Sequence, residues 1–211
     1  MSSYKQYVQF GCGMSAPKDF TNYDSSINLY LQRNFLTRLF WKHAVIYPES
    51  VMFGDIVKGL PIRHNTLKGI YSSHVLEHLS YHDCLTALTN CYNYLSPGGI
   101  LRCVLPDINL EVKAYLAEKD QGITNAASKF MEYSFLGYKD KPSSILSLFR
   151  WYISTHQHLW MWDYESLSEE LIKIGFTSVY PSSLGRSKDA TFNQAEDPSR
   201  FVNTLVLEAV K

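Results

Sequence analysis

Residues 69–105 read GIYSSHVLEHLSYHDCLTALTNCYNYLSPGGILRCVL, and they predict the architecture more directly than any other part of the chain. Their ends, Gly69–Ser73 and Ile100–Leu105, are short runs rich in β-forming residues, which predict two strands. Between them a helix is expected to begin at Ser80, because a serine followed three residues later by an acid is a capping signal. The apolar side chains after it keep helical spacing: Leu85, Leu88, Tyr92 and Leu95. Pro97 then ends the helix, so this is a strand–helix–strand unit of the kind that builds parallel sheets.

The alternation of strands and helices extends on both sides of this unit. Helices are expected over Ile27–Trp41 and over Tyr164–Ile174, the second ending at Gly175. Further strands are expected at Tyr7–Phe10, at a short segment ending near Tyr23, and at Val51–Phe53, Thr177–Tyr180 and Val202–Val210. The chain of 211 residues is therefore predicted to be a single α/β domain with a Rossmann-like, doubly wound sheet.

Composition argues against several classes of protein. Hydrophobic residues make up 45% of the chain and charged residues 19%, as in ordinary globular proteins. The 20 Lys and Arg residues balance the 20 Asp and Glu residues, which disfavours a nucleic-acid partner. No apolar run reaches membrane-spanning length, and the start, MSSYKQYVQF, does not resemble a signal peptide. Since the four cysteines also lack the spacing of a disulfide framework, we expect a cytoplasmic protein with no membrane partner.

Residues 110–160 interrupt the alternation, with helical patches but no convincing strand. We interpret them as a helical cap inserted over the strand ends. Ten aromatic side chains crowd into the second half of this segment and just beyond it: Phe130, Tyr133, Phe135, Tyr138, Phe149, Trp151, Tyr152, Trp160, Trp162 and Tyr164. These rings can form an accessory core, a substrate pocket or the contact of a homodimer, and the sequence leaves the three roles open.

A glycine pair, Gly11-Cys12-Gly13, follows the first strand directly. Glycine allows a sharp turn and a close approach of the backbone to a ligand. Asp24, at the expected end of the second strand, can accept hydrogen bonds from ribose hydroxyls. It lies eleven residues after Gly13, whereas dinucleotide sites place this acid about 20 residues on, behind a full helix. Without that helix no N-terminus is available to hold a pyrophosphate, so the spacing favours S-adenosylmethionine over NAD or ATP.

Two more polar segments follow predicted strands. In Gly54-Asp55-Ile56, the acid can accept a hydrogen bond from an adenine amino group while Ile56 packs on the ring. Ser73 and His74 stand where the strand Gly69–Ser73 ends. Because ligands of open α/β sheets bind beyond the carboxyl ends of the strands, we expect all these segments to converge on one site.

Together these segments resemble the class I S-adenosylmethionine-dependent methyltransferases. The resemblance rests on the motifs FGCG, NYD, GDI, SSHVLEHL, LSPGGILRCVLPD and DYESLSEELIKIGF, covers about residues 7–110 and 160–210, and is closest to a small bacterial type. It implies a seven-stranded, mostly parallel sheet with the last strand antiparallel. It also implies S-adenosylmethionine as cofactor, with its methionine part at Gly11, Cys12 and Gly13, its ribose at Asp24, its adenine at Asp55 and Ile56, and its methyl group near Ser73 and His74.

A hydroxyl acceptor benefits from a general base, and histidine suits that role near neutral pH. His74 is the first candidate because it follows a strand expected to face the cofactor, and His156, next to His158 at the edge of the cap, is the second. Residues 74–78 also spell H-x-x-E-H, an inverted zinc-protease signature. They span a strand end rather than one helix, so no metal site is predicted, and His78 is expected to contact adenine or backbone.

The predicted function is therefore methylation of a small-molecule or glycan acceptor, preferably at oxygen. The alternative is a catalytically silent protein that binds S-adenosylmethionine or acts as a scaffold. Gln9 and Ser15 leave room for this alternative, because they stand where the family usually has an acid and a third glycine.

Overall fold

The fold is an α/β domain built on one central sheet. A computed structural model describes residues 5–38, 46–137, 139, 143 and 157–211, without the side chains of residues 37 and 38. The described part of the chain forms seven strands: β1 (Tyr7–Phe10), β2 (Phe20–Asp24), β3 (Val51–Phe53), β4 (Leu67–Ser73), β5 (Leu95–Pro106), β6 (Ser178–Pro181) and β7 (Thr204–Val210). Their spatial order is β3-β2-β1-β4-β5-β7-β6.

The direction of the strands confirms the predicted Rossmann-like sheet. Strands β1 to β5 pair in parallel with their neighbours, whereas β7 is antiparallel to both β5 and β6. From β1 the sheet grows in two directions, through β2 and β3 on one side and through β4 and β5 on the other. This reversal creates a crevice beyond the carboxyl ends of β1 and β4, which is where such sheets bind ligands.

The predicted strand–helix–strand unit is present, with helix α3 (Tyr81–Tyr94) between β4 and β5. The side chain of Ser80 caps the helix by accepting a hydrogen bond from the Asp83 backbone N–H at 3.2 Å. Its buried face carries small residues, Cys84, Ala87 and Cys91, together with Leu88, so the helix can lie close to the sheet. All four cysteines are buried free thiols.

Within the described ranges the other α-helices are α1 (Ile27–Arg33), α2 (Phe35–Arg38), α4 (Ile108–Asp120), α5 (Ala126–Tyr133) and α6 (Tyr164–Ile174). Helix α6 confirms the prediction, including its end at Gly175, where φ is 123°. Among the described residues, no helix combines the length and the apolar character needed to cross a bilayer.

The expected single helix over Ile27–Trp41 is wrong, because Asn34 divides it into two short helices. Asn34 has an extended backbone, with ψ at 123°, and its side-chain oxygen accepts a hydrogen bond from the Leu36 N–H at 3.0 Å. An asparagine side chain that bonds to the nearby backbone competes with helical hydrogen bonding. Residues 39–41 lie outside the described residues.

The predicted cap segment contains helices α4 and α5, which pack on each other through the rings of Tyr115 and Phe130 at 5.7 Å. The aromatic residues after them have different environments. Trp162 is buried in the main core and stacks on Tyr81 at 5.7 Å, whereas Phe135 is half exposed. Other members of the aromatic set lie outside the described residues, namely Tyr138, Phe149, Trp151 and Tyr152. Treating residues 110–160 as a separate cap insertion stays a prediction.

Candidate active site

The turn after β1 is held against the end of β2 by Asp24. The carboxylate accepts a hydrogen bond from the Gly13 N–H at one oxygen and from the Ser26 N–H at the other, both at 2.8 Å. Gly11 and Gly13 have positive φ values, 61° and 55°, which glycine adopts without strain. Each carboxylate oxygen has a second lone pair, so Asp24 can still accept hydrogen bonds from a ribose diol.

The two glycines have different neighbours. A Cβ atom on Gly11 would collide with the side chain of Val75, so this glycine is required for the turn after β1 to pack on the turn after β4. A Cβ on Gly13 would meet no described atom within 4 Å. The open space beside Gly13 and the adjacent carboxylate of Asp24 therefore fit a bound adenosyl compound.

The side chains of Cys12 and Ile56 are buried, so little of either side chain is available to a ligand. The Cys12 side chain packs with Leu29 and Val51, so at this turn its backbone rather than its thiol is available to a ligand. Ile56 is 6% exposed and belongs to the main core, so little of its side chain is available to an adenine ring. Asp55 accepts a hydrogen bond from the Val57 N–H at 2.9 Å at one carboxylate oxygen. The assignment of adenine to Asp55 and Ile56 stays a prediction.

His74 occupies a strained position directly after β4, with φ at 54°. Its Nε2 lies 2.9 Å from the carbonyl of Arg200, and because a carbonyl only accepts, Nε2 carries the hydrogen. Its Nδ1 lies 3.3 Å from Oε1 of Glu77. Burial alone would lower the pKa of His74, but the contacts with Glu77 and the Arg200 carbonyl outweigh burial and raise it. Both ring nitrogens thus face an acceptor, and the imidazolium form suits this arrangement.

A cavity of about 560 Å³ opens beside His74 at the carboxyl ends of β4 and β5. Its walls come from several separate parts of the chain, represented by His74, Glu111 of α4, Tyr133 of α5, His158 and Asn203 before β7. Burial raises the pKa of the Glu111 carboxyl. The cavity combines aromatic surface with several polar groups, as small-molecule sites commonly do.

At the wall of this cavity, His158, which is one of its lining residues, meets Glu77 and His78. One potential metal-ligating atom from each of the three side chains lies within 4.8 Å of the other two. The Glu77 carboxylate is fully buried, and the rings of His78 and His158 are 5.0 Å apart. Burial lowers the pKa of His158, which favours its neutral form. His156, the second predicted base, lies outside the described residues.

Sequence reasoning missed the contribution of residues 200–204 to the site. The Arg200 carbonyl contacts His74, and Asn203 and Thr204 line the cavity. No local pattern marks these residues, because they reach the site only through the antiparallel pairing of β7 with β5.

Comparisons with known proteins agree with this geometry. Residues 18–103 match the family described as "Methyltransferase domain". No curated protein matches the sequence. Among solved structures, the chain is similar to a SAM-dependent methyltransferase from Thermotoga maritima, with 14% identity, a TM-score of 0.54, and coverage of 98% of this chain and 82% of that one. It is also similar to the structure described as "PigF with SAH", with 12% identity, a TM-score of 0.50, and coverage of 100% and 52% respectively. At such identities the likeness shows a shared fold.

Proposed function

We propose that this chain, whose residues 18–103 match the methyltransferase domain family, uses S-adenosylmethionine as its cofactor and methylates a small-molecule or glycan acceptor at a hydroxyl oxygen. The observation that carries the proposal is the turn His74-Val75. Val75 packs against Gly11 at the predicted cofactor turn, and His74 lines the 560 Å³ cavity. A single turn therefore separates the proposed cofactor site from a pocket that can hold an acceptor.

Asp24 and the glycine turn are proposed to hold the cofactor. The cofactor supplies an electrophilic methyl group on a sulfonium. Asp24 is 8% exposed and already fixed by two backbone N–H groups, so its carboxylate is oriented before a ligand arrives. Pre-oriented groups lose little freedom on binding, which favours affinity.

The acceptor is proposed to bind in the cavity beside His74. The ring of Tyr133 and that of Phe135 line this cavity and can stack on a sugar or another small ring. Holding the acceptor hydroxyl in line with the sulfonium provides much of the rate, since alignment alone lowers the barrier of a displacement.

His74 remains the candidate general base, although the structure restricts how it can act. To take a proton from an acceptor, its ring must release either the Arg200 carbonyl or Glu77. The variant His74→Gln is expected to lower kcat by about 100-fold or more if the ring takes the proton. A kcat near the wild-type value would instead restrict His74 to shaping the pocket.

The first experiment measures binding of S-adenosylmethionine, S-adenosylhomocysteine and NADH by isothermal titration calorimetry. The wild type is expected to bind both adenosyl compounds, and Asp24→Asn to bind them about 10–100-fold more weakly, because hydrogen bonds to a charged group are lost. The matched control is Asp19→Asn, an exposed acid on the approach to β2, which should bind like the wild type. Failure of the wild type to bind either adenosyl compound would refute the cofactor site.

The second experiment separates an enzyme from a silent binding protein. The wild type is incubated with methyl-labelled S-adenosylmethionine and a panel of sugars, phenols and other hydroxyl compounds. Acceptor-dependent release of S-adenosylhomocysteine supports methyl transfer. Tight binding without turnover across the panel would favour the silent alternative. A cytoplasmic location is part of the same proposal, and it is supported by four free buried thiols, which suit reducing conditions.

A further inference from the structure

We propose that Glu77, His78 and His158 form a binding site for one divalent transition-metal ion, of which zinc is the representative. The three residues come from two distant parts of the chain, the turn after β4 and the segment leading to α6. The site lies at the wall of the proposed acceptor cavity, which His158 lines, and would have a structural role. It departs from the sequence-based expectation that the chain has no metal site.

Glu77 is the residue that most requires a cation. Its side chain is fully buried, and within the described part of the chain neither carboxylate oxygen has a hydrogen bond of good geometry. The backbone carbonyl of Glu77 is satisfied, since it accepts from the Leu159 N–H at 2.7 Å. A buried carboxylate without hydrogen bonds is costly, so natural proteins pair it with a charge or a metal. His74 can pair with only one oxygen, Oε1.

His78 is oriented as a metal ligand. Its Nδ1–H donates to the carbonyl of Gln157 at 2.8 Å, so in the neutral ring Nε2 carries the lone pair. That nitrogen faces Oε1 of Glu77 at 4.0 Å. Metal-bound histidines almost always donate their other N–H to a carbonyl or a carboxylate, which fixes the ring and its tautomer.

His158 is the third proposed ligand, and like His78 it has one ring nitrogen bonded to backbone and the other available. Its ring has a hydrogen bond to the backbone of Ser134, while Nδ1 is buried and has no partner among residues 5–38, 46–137 and 157–211. The bond to a backbone group fixes the ring and leaves Nδ1 free for a ligand. Two imidazoles and a carboxylate thus face one another, with their ligand atoms within 4.8 Å.

The spacing of the three groups suits a small cation. Bonds of 2.0–2.2 Å place the ligand atoms of a tetrahedral zinc roughly 3.3 Å apart. The three ligand atoms lie within 4.8 Å of one another, so they have to close by at most about 1.5 Å, and the Glu77–His78 pair at 4.0 Å by less than about 1 Å. Imidazole and carboxylate ligands suit zinc and its first-row neighbours better than calcium or magnesium.

The sequence motif H-x-x-E-H at residues 74–78 contains only two of the three proposed ligands, Glu77 and His78. His74, its first residue, is turned toward the Arg200 carbonyl and is not one of the three clustered ligands. The second histidine of the site is His158, which is 80 residues from His78 in the chain. A metal here would link the turn after β4 to the segment at residues 157–160.

The test uses untagged wild-type protein that has been treated with a chelator and then titrated with Zn²⁺ or Co²⁺. We expect one ion per chain by calorimetry, the visible absorption of tetrahedral cobalt, and an unfolding temperature raised by about 5–10 °C at saturating zinc. None of these readouts depends on methyl transfer, so the outcome is independent of the proposed function. Absence of stoichiometric binding and of a thermal shift in the wild type would overturn the proposal.

Variants locate the ion. Glu77→Gln and His78→Gln preserve side-chain size and are expected to weaken binding by at least about 100-fold, because even supporting residues of metal sites contribute 10–100-fold. The matched control is His82→Gln, an exposed histidine on α3, which should bind zinc like the wild type. The proposal is refuted if both cluster variants bind zinc with wild-type affinity, or if His82→Gln weakens binding as much as they do. Wild-type binding alone decides the question if a variant does not fold.

Discussion

Replacing Arg102 with methionine should destabilise the fold by about 3–5 kcal/mol, because it leaves two buried carboxylates without their cation. Arg102 on β5 is fully buried. Its guanidinium donates to Glu196 at 2.7 Å, to Glu208 at 2.8 Å, to the Ser182 hydroxyl at 2.8 Å and to the Ser183 carbonyl at 2.7 Å. These bonds connect the sheet to the long segment between β6 and β7.

The magnitude follows from burial of the whole network. The side chains of Arg102 and Glu208 are 0% exposed and that of Glu196 is 2% exposed, so water cannot compensate for a lost partner. Methionine fills a similar volume, which limits the cost of a cavity and isolates the electrostatic loss. For a chain of this size, the predicted loss of stability corresponds to an unfolding temperature lower by about 6–20 °C.

The assay is equilibrium unfolding in urea at neutral pH, followed by circular dichroism. The control is Lys173→Met, which removes an exposed lysine paired with Glu169 and Glu170 and should leave the urea midpoint unchanged. A third protein carries Arg102→Met together with Glu196→Gln and Glu208→Gln. Removing the two uncompensated charges should restore more than half of the lost stability.

Two results would refute this reasoning. If Arg102→Met changes the urea midpoint no more than Lys173→Met does, the buried network contributes nothing measurable to stability. If the triple variant is as unstable as Arg102→Met, the loss comes from packing or from hydrogen bonds rather than from uncompensated charge.

The remaining predictions concern the glycine turn and the thiols. Gly11→Ala should lower stability by about 1–3 kcal/mol and weaken S-adenosylmethionine binding, because the new Cβ collides with Val75. Gly98→Ala, at a positive φ of 78° but with open space around it, is the control and should cost only about 1 kcal/mol in urea unfolding; equal costs would contradict the clash. Burial raises the pKa of Cys12 to about 12, so its thiol should react with a disulfide reagent at pH 8 at least about 100-fold more slowly in the native protein than in urea. Rapid labelling of the native protein would contradict this burial.

The sequence alone determined the parts of the protein that depend on local interactions. Helix α3 could be placed from Ser80, because a capping serine and the apolar residues after it act within one or two turns of the chain. The glycine turn and Asp24 could be paired because only eleven residues separate them, and the structure joins Gly13 to Asp24 with a 2.8 Å hydrogen bond. The expectation for Ile27–Trp41 failed because apolar periodicity does not register the competing side-chain bond of Asn34.

Tertiary structure alone decided which distant residues meet. His74 contacts the carbonyl of Arg200, which is 126 positions later in the chain. Arg102 donates a hydrogen bond to Glu196, which is 94 positions later. His158 reaches Glu77 because the segment at 157–160 docks on the turn after β4. Such contacts depend on the order and direction of the strands and on how long connections pack against the sheet, and no short stretch of sequence encodes them. For this reason the predicted cofactor turn could be derived from local spacing, whereas the cavity and the Glu77 cluster could not.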